Sequence, residues 1–476
     1  SADLAVRGTH IHMTGVKGTG MAALAEILHD EGAVISGSDV AERFFTDDIL
    51  DRLGVPRQVG FAADHVPPEA TELVYSAAYD EENPERIEAR RRGIPQHSYT
   101  EMLGRLSRRR PSLAVSGIHG KTTISAMIGT LVRGIGYPAT VLVGSAVHSF
   151  GGSATWRGGG AAFIAETCEY RRHFLAFSPS ALLISNVEAE HLDYFRDEAD
   201  VEDAFVEFAR RLPEGAPLVY CYDDEGARRT VARTNTERPD LQAVPYGEGA
   251  PGAWRYEYHG VTEGFQHFST ADGTARWRIP IPGRHMVENA VGALAALHAI
   301  SAVATPEFAI GPERCAAALE TYRGTRRRSE ILGEPGDVLV IDDYAHHPRA
   351  IQATIAGYRE FYRGRRIVLD FMSHTYTRSQ LLLDDFVSAF DGVDTLILND
   401  IYASARESRD GTFDGAAFAR AIAAHREGVH FEPDFDRAAD FAVNLLEPGD
   451  LFITMGAGDN FRIARAVVQR LEAGNA

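Results

Sequence analysis

The chain has 476 residues with a hydrophobic fraction of 45% and a formal net charge of −19, enough for two to four domains with their own cores at roughly 100 to 200 residues each. A negative surplus of that size repels a phosphate backbone and excludes general nucleic-acid binding, while local basic pockets for small anions stay open. No apolar run approaches the roughly 20 residues that cross a bilayer, and Ser1 to His10 lacks a charged-then-apolar signal pattern, so a cytoplasmic protein without membrane association is expected, as a monomer or homodimer.

In chain order, Thr9 to Thr14 reads as a strand, Gly15 to Gly20 as a loop, and Met21 to Asp30 as a helix. A second strand, Ala33 to Ser36, ends at Gly37-Ser38-Asp39 and opens a doubly wound α/β domain. A further βα signal at Leu73 to Ala77 carries it to the basic stretch Arg105 to Pro111, where a boundary is placed. A new strand, Ser112 to Ser116, runs into a second glycine loop and a helix from Thr122, and strands follow at Ala162 to Ala165 and Ala181 to Ser185. Between Pro239 and Pro282, aromatic, Gly and Thr residues without a long helix predict a small antiparallel insert, after which Glu288 to Ala299 reads as a helix. A third α/β unit begins at Asp337, with strands Val338 to Ile341, Arg366 to Asp370, Leu396 to Leu398 and Leu451 to Thr454. Three cysteines, Cys168, Cys221 and Cys315, form no C-x-x-C pair, so neither a disulfide framework nor a thiolate zinc site is indicated. The expectation is an α/β fold in three domains, 1–110, 111–322 and 323–476.

The first glycine loop, Gly18-Thr-Gly20-Met-Ala-Ala23, fits G-x-G-x-x-A after a strand, with Asp39 19 residues past Gly20. Backbone amides at a helix N-terminus point at a diphosphate, glycines let it approach, and the acid takes ribose hydroxyls, a pattern that does not choose NAD over a UDP-sugar. Lys17 and Lys121 are the only lysines in a chain otherwise basic through arginine, and both lie in glycine loops, where a compact ammonium suits phosphate. The second loop, Ser116-Gly-Ile-His-Gly-Lys121-Thr122-Thr123, has the shorter G-x-x-G-K-T form, in which Lys121 neutralises β/γ oxygens and the Thr122 hydroxyl binds magnesium. Magnesium keeps several waters, so few protein ligands are expected. Glu166 and His191, each following a strand beside the loop, are the candidates.

Over essentially the whole chain these residues resemble the Mur ligases of peptidoglycan synthesis, most closely the branch that adds L-alanine to UDP-N-acetylmuramate. The likeness rests on Ile11 to Met21 with Gly37-Ser-Asp39, Gly117 to Thr123, Glu166 to Glu169, Asn186 to Asp193, Pro282 to Asn289, Gly324 to Arg328, Asp342 to Pro348, His374 to Arg378 and Met455 to Asp459. It implies an N-terminal Rossmann-like domain that binds UDP, a central P-loop ATPase-type domain with a small β insert, and a Rossmann-like C-terminal domain for the amino acid. Gly15, Lys17, Gly18, Thr19, Gly20 and Met21 would then meet the UDP-sugar, with Ser38 and Asp39 near the ribose. Gly117, His119, Gly120, Lys121, Thr122 and Thr123 would hold ATP phosphates, His285 and Asn289 the adenine, and Arg327 and Asp343 other parts of ATP. Thr122, Glu166 and His191 match the magnesium positions, and Tyr344, His346, His374 and Arg378 match the region that receives the amino acid. Departures are Met286 for the usual asparagine, Ile118 for the usual threonine, Glu166-Thr-Cys-Glu-Tyr for the commoner Glu-Ala-Asp-Glu form, and no lysine in 195–213 to be carbamylated.

The implied reaction uses ATP and Mg2+ to turn a carboxylate into an acyl phosphate that a free amine attacks. His191 acts in it as ligand, not base. The amine's proton falls to His346 or His374, whose ordinary pKa near 6.5 suits the task. A recycling ligase that attaches a ready-made peptide to the same UDP-sugar is the near alternative. From other classes come an NAD-dependent oxidoreductase, which leaves Lys121 unexplained, and a catalytically silent nucleotide-binding protein.

Overall fold

The computed structural model describes residues 6–189, 194–271, 273, 275–402 and 413–474. Four sheets organise them. The first joins β1 (His10–Thr14), β2 (Val34–Asp39), β3 (Arg57–Val59), β4 (Glu72–Tyr75) and β5 (Gln96–Ser98) in the order β3-β2-β1-β4-β5. All of its pairings are parallel. Strand order reverses at β1, and in such sheets ligands bind beyond the carboxyl end of the strand at that switch point. The Thr19–Asp30 helix starts two residues earlier than the apolar spacing predicts, so Thr19 and Gly20 belong to its first turn.

The second sheet holds β6 (Ser112–Ser116), β7 (Ala139–Leu142), β8 (Thr155–Arg157), β9 (Ala162–Glu166), β10 (Ala181–Ile184), β11 (Pro217–Cys221) and β12 (Gln242–Tyr246), in the order β12-β11-β10-β6-β9-β7-β8. It is parallel apart from β8. The loop after β6 therefore emerges between the ends of β9 and β10, with Val115 opposite Glu166 and Ser116 opposite Ile184. The Lys121–Ile135 helix follows, N-capped by Gly120 at φ +82°. β12 corrects one expectation: Gln242–Tyr246 pairs in parallel with β11 and so belongs to this sheet, not to an antiparallel insert. The separate three-stranded sheet is β13 (Tyr256–Thr262), β14 (Phe265–Thr270) and β15 (Arg276–Ile279). Two residues join β13 to β14, a link short enough only for an antiparallel pair.

The Arg284–Ala304 helix is longer than the sequence suggested, and by length and composition it is the one described helix apolar enough to cross a bilayer. That corrects the reading that no such run exists. The helix is 78% buried within the protein over its most apolar window, so its apolar face fills the core. The last sheet contains β16 (Glu330–Gly333), β17 (Leu339–Asp343), β18 (Ile367–Met372), β19 (Thr395–Leu398), β20 (Val429–Phe431) and β21 (Leu451–Gly456), ordered β16-β17-β21-β18-β19-β20, with only β16 antiparallel. By contacts the chain forms two compact units. One comprises Ser1–Gly260, His267–Ile279 and Val287–Arg323, and the other Val261–Gln266, Pro280–Met286 and Gly324–Ala476. The first two large sheets share a unit because one apolar cluster runs from Ile11 and Leu28 through Leu106 to Ile184 and Leu218.

Candidate active site

At the end of β1, Gly15 adopts φ +82°, and a Cβ there would lie 2.5 Å from the Tyr79 ring. Lys17 is turned inward. Its ammonium donates to the Val40 and Glu42 carbonyls at 3.0 and 2.9 Å and lies 3.3 Å from Asp47, while its N–H donates to Asp39 Oδ2 at 2.7 Å. Asp39 Oδ1 accepts from the Val40 N–H at 2.7 Å. Lys17 and Asp39 thus hold the loop in shape, and Ser38 is fully buried beneath it. Gly18, Thr19 and Gly20 present backbone at the first turn of the helix, whereas the Met21 side chain points into the core.

The second loop is braced by the residues that follow β10. Ser185 Oγ donates to the His119 carbonyl at 2.6 Å, Asn186 Nδ2 donates to the same oxygen at 3.1 Å, and the His119 N–H donates to Asn186 Oδ1 at 2.8 Å. The His119 ring reaches Glu188 at 2.7 Å. Gly117, at φ +132°, packs so closely on Ser185 that no side chain fits there. Lys121 Nζ donates to the Gly117 carbonyl at 2.5 Å, the Ile118 carbonyl at 3.2 Å and the buried Glu169 carboxylate at 2.9 Å. Sequence reasoning missed Ser185, Glu188 and Glu169 as loop partners, although the adjacency of β10 to β6 would have pointed to the first two. Thr122 is half-buried at the helix start, Thr123 faces inward, and Asn289 Oδ1 lies 3.0 Å from where a Gly120 Cβ would be.

Among the described residues no group of three or more His, Cys, Asp or Glu side chains could hold a metal, and His191 lies outside them. Glu166 Oε2 is nonetheless buried without a hydrogen-bond partner. An orphaned carboxylate oxygen is costly to bury, and a hydrated magnesium ion, which needs few protein ligands, would satisfy it. The donor set fits that ion.

In the second unit, the Arg327 guanidinium donates to Asp342 Oδ2 at 2.8 Å and to the Gly458 and Gly456 carbonyls at 2.7 and 2.9 Å. Asp343 accepts the Ser329 and Ala345 N–H groups at 2.7 and 2.8 Å. Both residues are committed to shaping the β17 end. The His285 ring lies over Gly283 with a buried, unpartnered Nδ1, and burial lowers its pKa while Asp343 opposes the shift. His285 belongs to the second unit and Asn289 to the first. Tyr344, His346, His374 and Arg378 come together. His346 packs edge-on to Tyr344 and to His374, at ring separations of 5.2 and 6.4 Å, and Arg378 is close enough to perturb it. His346 Nδ1 faces the Tyr344 carbonyl at 3.1 Å, and its pKa is pushed down to about 3 by burial, with Arg378, Arg328 and His374 acting in the same direction. His374 stacks on Tyr402 at 5.7 Å.

Three family profiles cover this chain in order: Mur ligase family, catalytic domain, over residues 10–111; Mur ligase middle domain over 115–297; and Mur ligase, glutamate ligase domain, over 327–458. The chain belongs to the Mur ligase family. Two relatives named UDP-N-acetylmuramate--L-alanine ligase align along nearly the full length. The one from Treponema pallidum is 44% identical across 97% of this chain and 96% of its own, and the one from Desulfitobacterium hafniense is 37% identical across 96% and 99%. Among solved structures, a UDP-N-acetylmuramate-alanine ligase from Thermotoga maritima superposes with a TM-score of 0.79 over 98% of this chain and 99% of that one at 23% identity, a likeness of fold. Three α/β sheets carry the chain, and both glycine loops fall at carboxyl ends of parallel strands.

Proposed function

We propose that this Mur ligase joins L-alanine to the lactyl carboxylate of UDP-N-acetylmuramate at the expense of ATP, a step in making peptidoglycan precursors. The observation that carries the reading is the 44% identity to an L-alanine ligase along 97% of the chain. Peptide recycling and NAD chemistry are set aside because the aligned relatives carry the L-alanine name. Its substrates place the reaction in the cytoplasm.

A carboxylate oxygen attacks the γ-phosphorus and ADP departs. The free amine then attacks the acyl carbon, phosphate leaves with the electrons of its C–O bond, and nitrogen gives up a proton. Amides of the Thr19–Asp30 helix hold the sugar nucleotide's diphosphate. Lys121 exchanges Glu169 and two loop carbonyls for phosphate oxygens when nucleotide arrives. A magnesium ion held by Thr122, Glu166 and His191 would supply the charge that lets carboxylate and triphosphate approach. His285 and Asn289 serve the adenine, and Arg378 pairs with the amino acid's carboxylate. Arg327 and Asp343 act by fixing the backbone around Ser329 and Tyr344. His346, neutral and with its Nδ1 proton on the Tyr344 carbonyl, orients the amine, and His374 takes the proton. ADP release by the wild type is expected to depend on UDP-N-acetylmuramate and to prefer L-alanine over glycine, L-serine and tripeptide. Lys121→Ala is expected to abolish it, and near-normal turnover by that variant would remove the loop from the mechanism.

A further inference from the structure

Tyr99 is the side chain that touches both halves of the first unit's chemistry. It sits at the first position of the Tyr99–Ser107 helix, where a capping box fixes it: the Ser98 N–H donates to Glu101 Oε2 at 2.7 Å, and the Glu101 N–H donates to Ser98 Oγ at 3.2 Å. Its ring is wedged against the first glycine loop, so that a Cβ on Gly20 would lie 2.7 Å from Tyr99 Cζ and 2.9 Å from its hydroxyl oxygen. On its other side Tyr99 lines a cavity of about 90 Å³ together with Glu166, Cys168, Leu103, Phe174 and Phe177. Glu166 is one of its lining residues, and the buried Oε2 of that residue has no hydrogen-bond partner.

The phenol is an unspent donor. Among the described residues no hydrogen bond is made by its hydroxyl. A rigid aromatic ring carrying an O–H donor, set between a diphosphate loop and a metal-type carboxylate, is preorganised to bond an anionic group that enters there. The cavity is wide enough for water or for a carboxylate with a small apolar branch. Leu103, Phe174 and Phe177 provide an apolar wall for such a branch.

We propose that Tyr99 positions the substrate's acid: its hydroxyl donates to the sugar-borne carboxylate in the cavity that it lines with Glu166. This rests on the ligase reading above. The carboxylate must leave the diphosphate loop and reach the nucleotide's phosphates, and Tyr99 stands where that path passes Glu166. Its donor holds one carboxylate oxygen and leaves the other free to attack phosphorus.

Tyr99→Phe removes only the hydroxyl. In steady-state assays of the full chain, kcat/KM for UDP-N-acetylmuramate is expected to fall roughly ten- to a hundred-fold, as for a lost hydrogen bond to a charged group, with the KM values for ATP and L-alanine within about twofold. A second probe, UDP-N-acetylglucosamine, carries nucleotide and sugar without the lactyl arm, and its inhibition constant is expected to be equal for wild type and variant. Equal weakening of both compounds would move the hydroxyl onto the diphosphate or sugar and overturn the assignment. An unchanged kcat/KM would overturn it outright. Failure of the wild type to release ADP would instead defeat the parent reading, so the two failures are distinguishable.

Discussion

Two side chains of the second unit are driven by burial towards their neutral forms, with pKa shifts of opposite sign, and both carry a pH dependence. His346 has its pKa pushed down to about 3, burial being the largest cause. An unfolded chain, with an ordinary value near 6.5, therefore binds an extra proton between those limits. Its contribution to stability is complete above pH 6.5 and is lost as pH falls through the window, by about 2 kcal/mol at pH 5. Asp370, fully buried with the Asn460 and Asn399 amides donating at 2.9 and 3.0 Å, has its pKa pushed up to about 7, burial again leading. Its contribution has the reverse sign, complete below its ordinary range and lost as pH rises toward 7. His346→Gln is expected to shrink the difference between thermal midpoints at pH 5 and pH 7, and an unaltered difference would mean that this imidazole titrates as it does in water. At this scale the sequence identifies residues whose role lies in backbone geometry and near neighbours, such as Gly117 to Thr123. It is silent on the contact by which Glu169 meets Lys121 from 48 residues away, and on the burial that lowers the His346 pKa.

Strands buried on both faces read as continuous apolar runs, which is why β6, β17, β18 and β21 lie within a residue or two of their predicted limits. Edge elements do not read that way. β12 carries Pro245 and two exposed residues, features an edge strand tolerates, so its parallel pairing with β11 escaped the pattern. The three-residue strands β3, β5, β8 and β20 are too short for any periodicity. Strand ends also set the chemistry of Glu166. The last residue of β9 faces Gly144, just beyond β7, and a Cβ at Gly144 would collide with its carboxylate. Gly144→Ala is expected to displace that carboxylate and raise the magnesium concentration for half-maximal ADP release roughly 10- to 100-fold, the scale seen when the support of a metal ligand is disturbed. A magnesium requirement matching the wild type would take Glu166 out of the metal site.

Across the whole molecule, the division into two compact units has a thermodynamic consequence, because units with separate apolar clusters need not unfold together. Residues 324–476 build their own core on both faces of the last sheet, with Ile341, Leu369 and Phe371 on one side and Val340, Val368 and Phe452 on the other. One cluster spans the first two sheets, and a polar interlock adds to it. Glu26 of the Thr19–Asp30 helix is nearly fully buried and accepts from Ser153 Oγ at 2.5 Å, the Ala154 N–H at 3.2 Å and Thr155 Oγ1 at 3.2 Å, with Arg157 3.5 Å away. Removing one partner from such a set strands the others without an acceptor and costs about 3–5 kcal/mol. Calorimetry of the full chain is expected to resolve two transitions. Glu26→Ala is expected to lower the one belonging to the unit that contains both glycine loops and to leave the other in place. Since the sugar nucleotide's diphosphate is assigned to that unit, this ligand should raise the same transition that Glu26→Ala lowers. Equal displacement of both transitions by the variant would mean that the two units unfold as one.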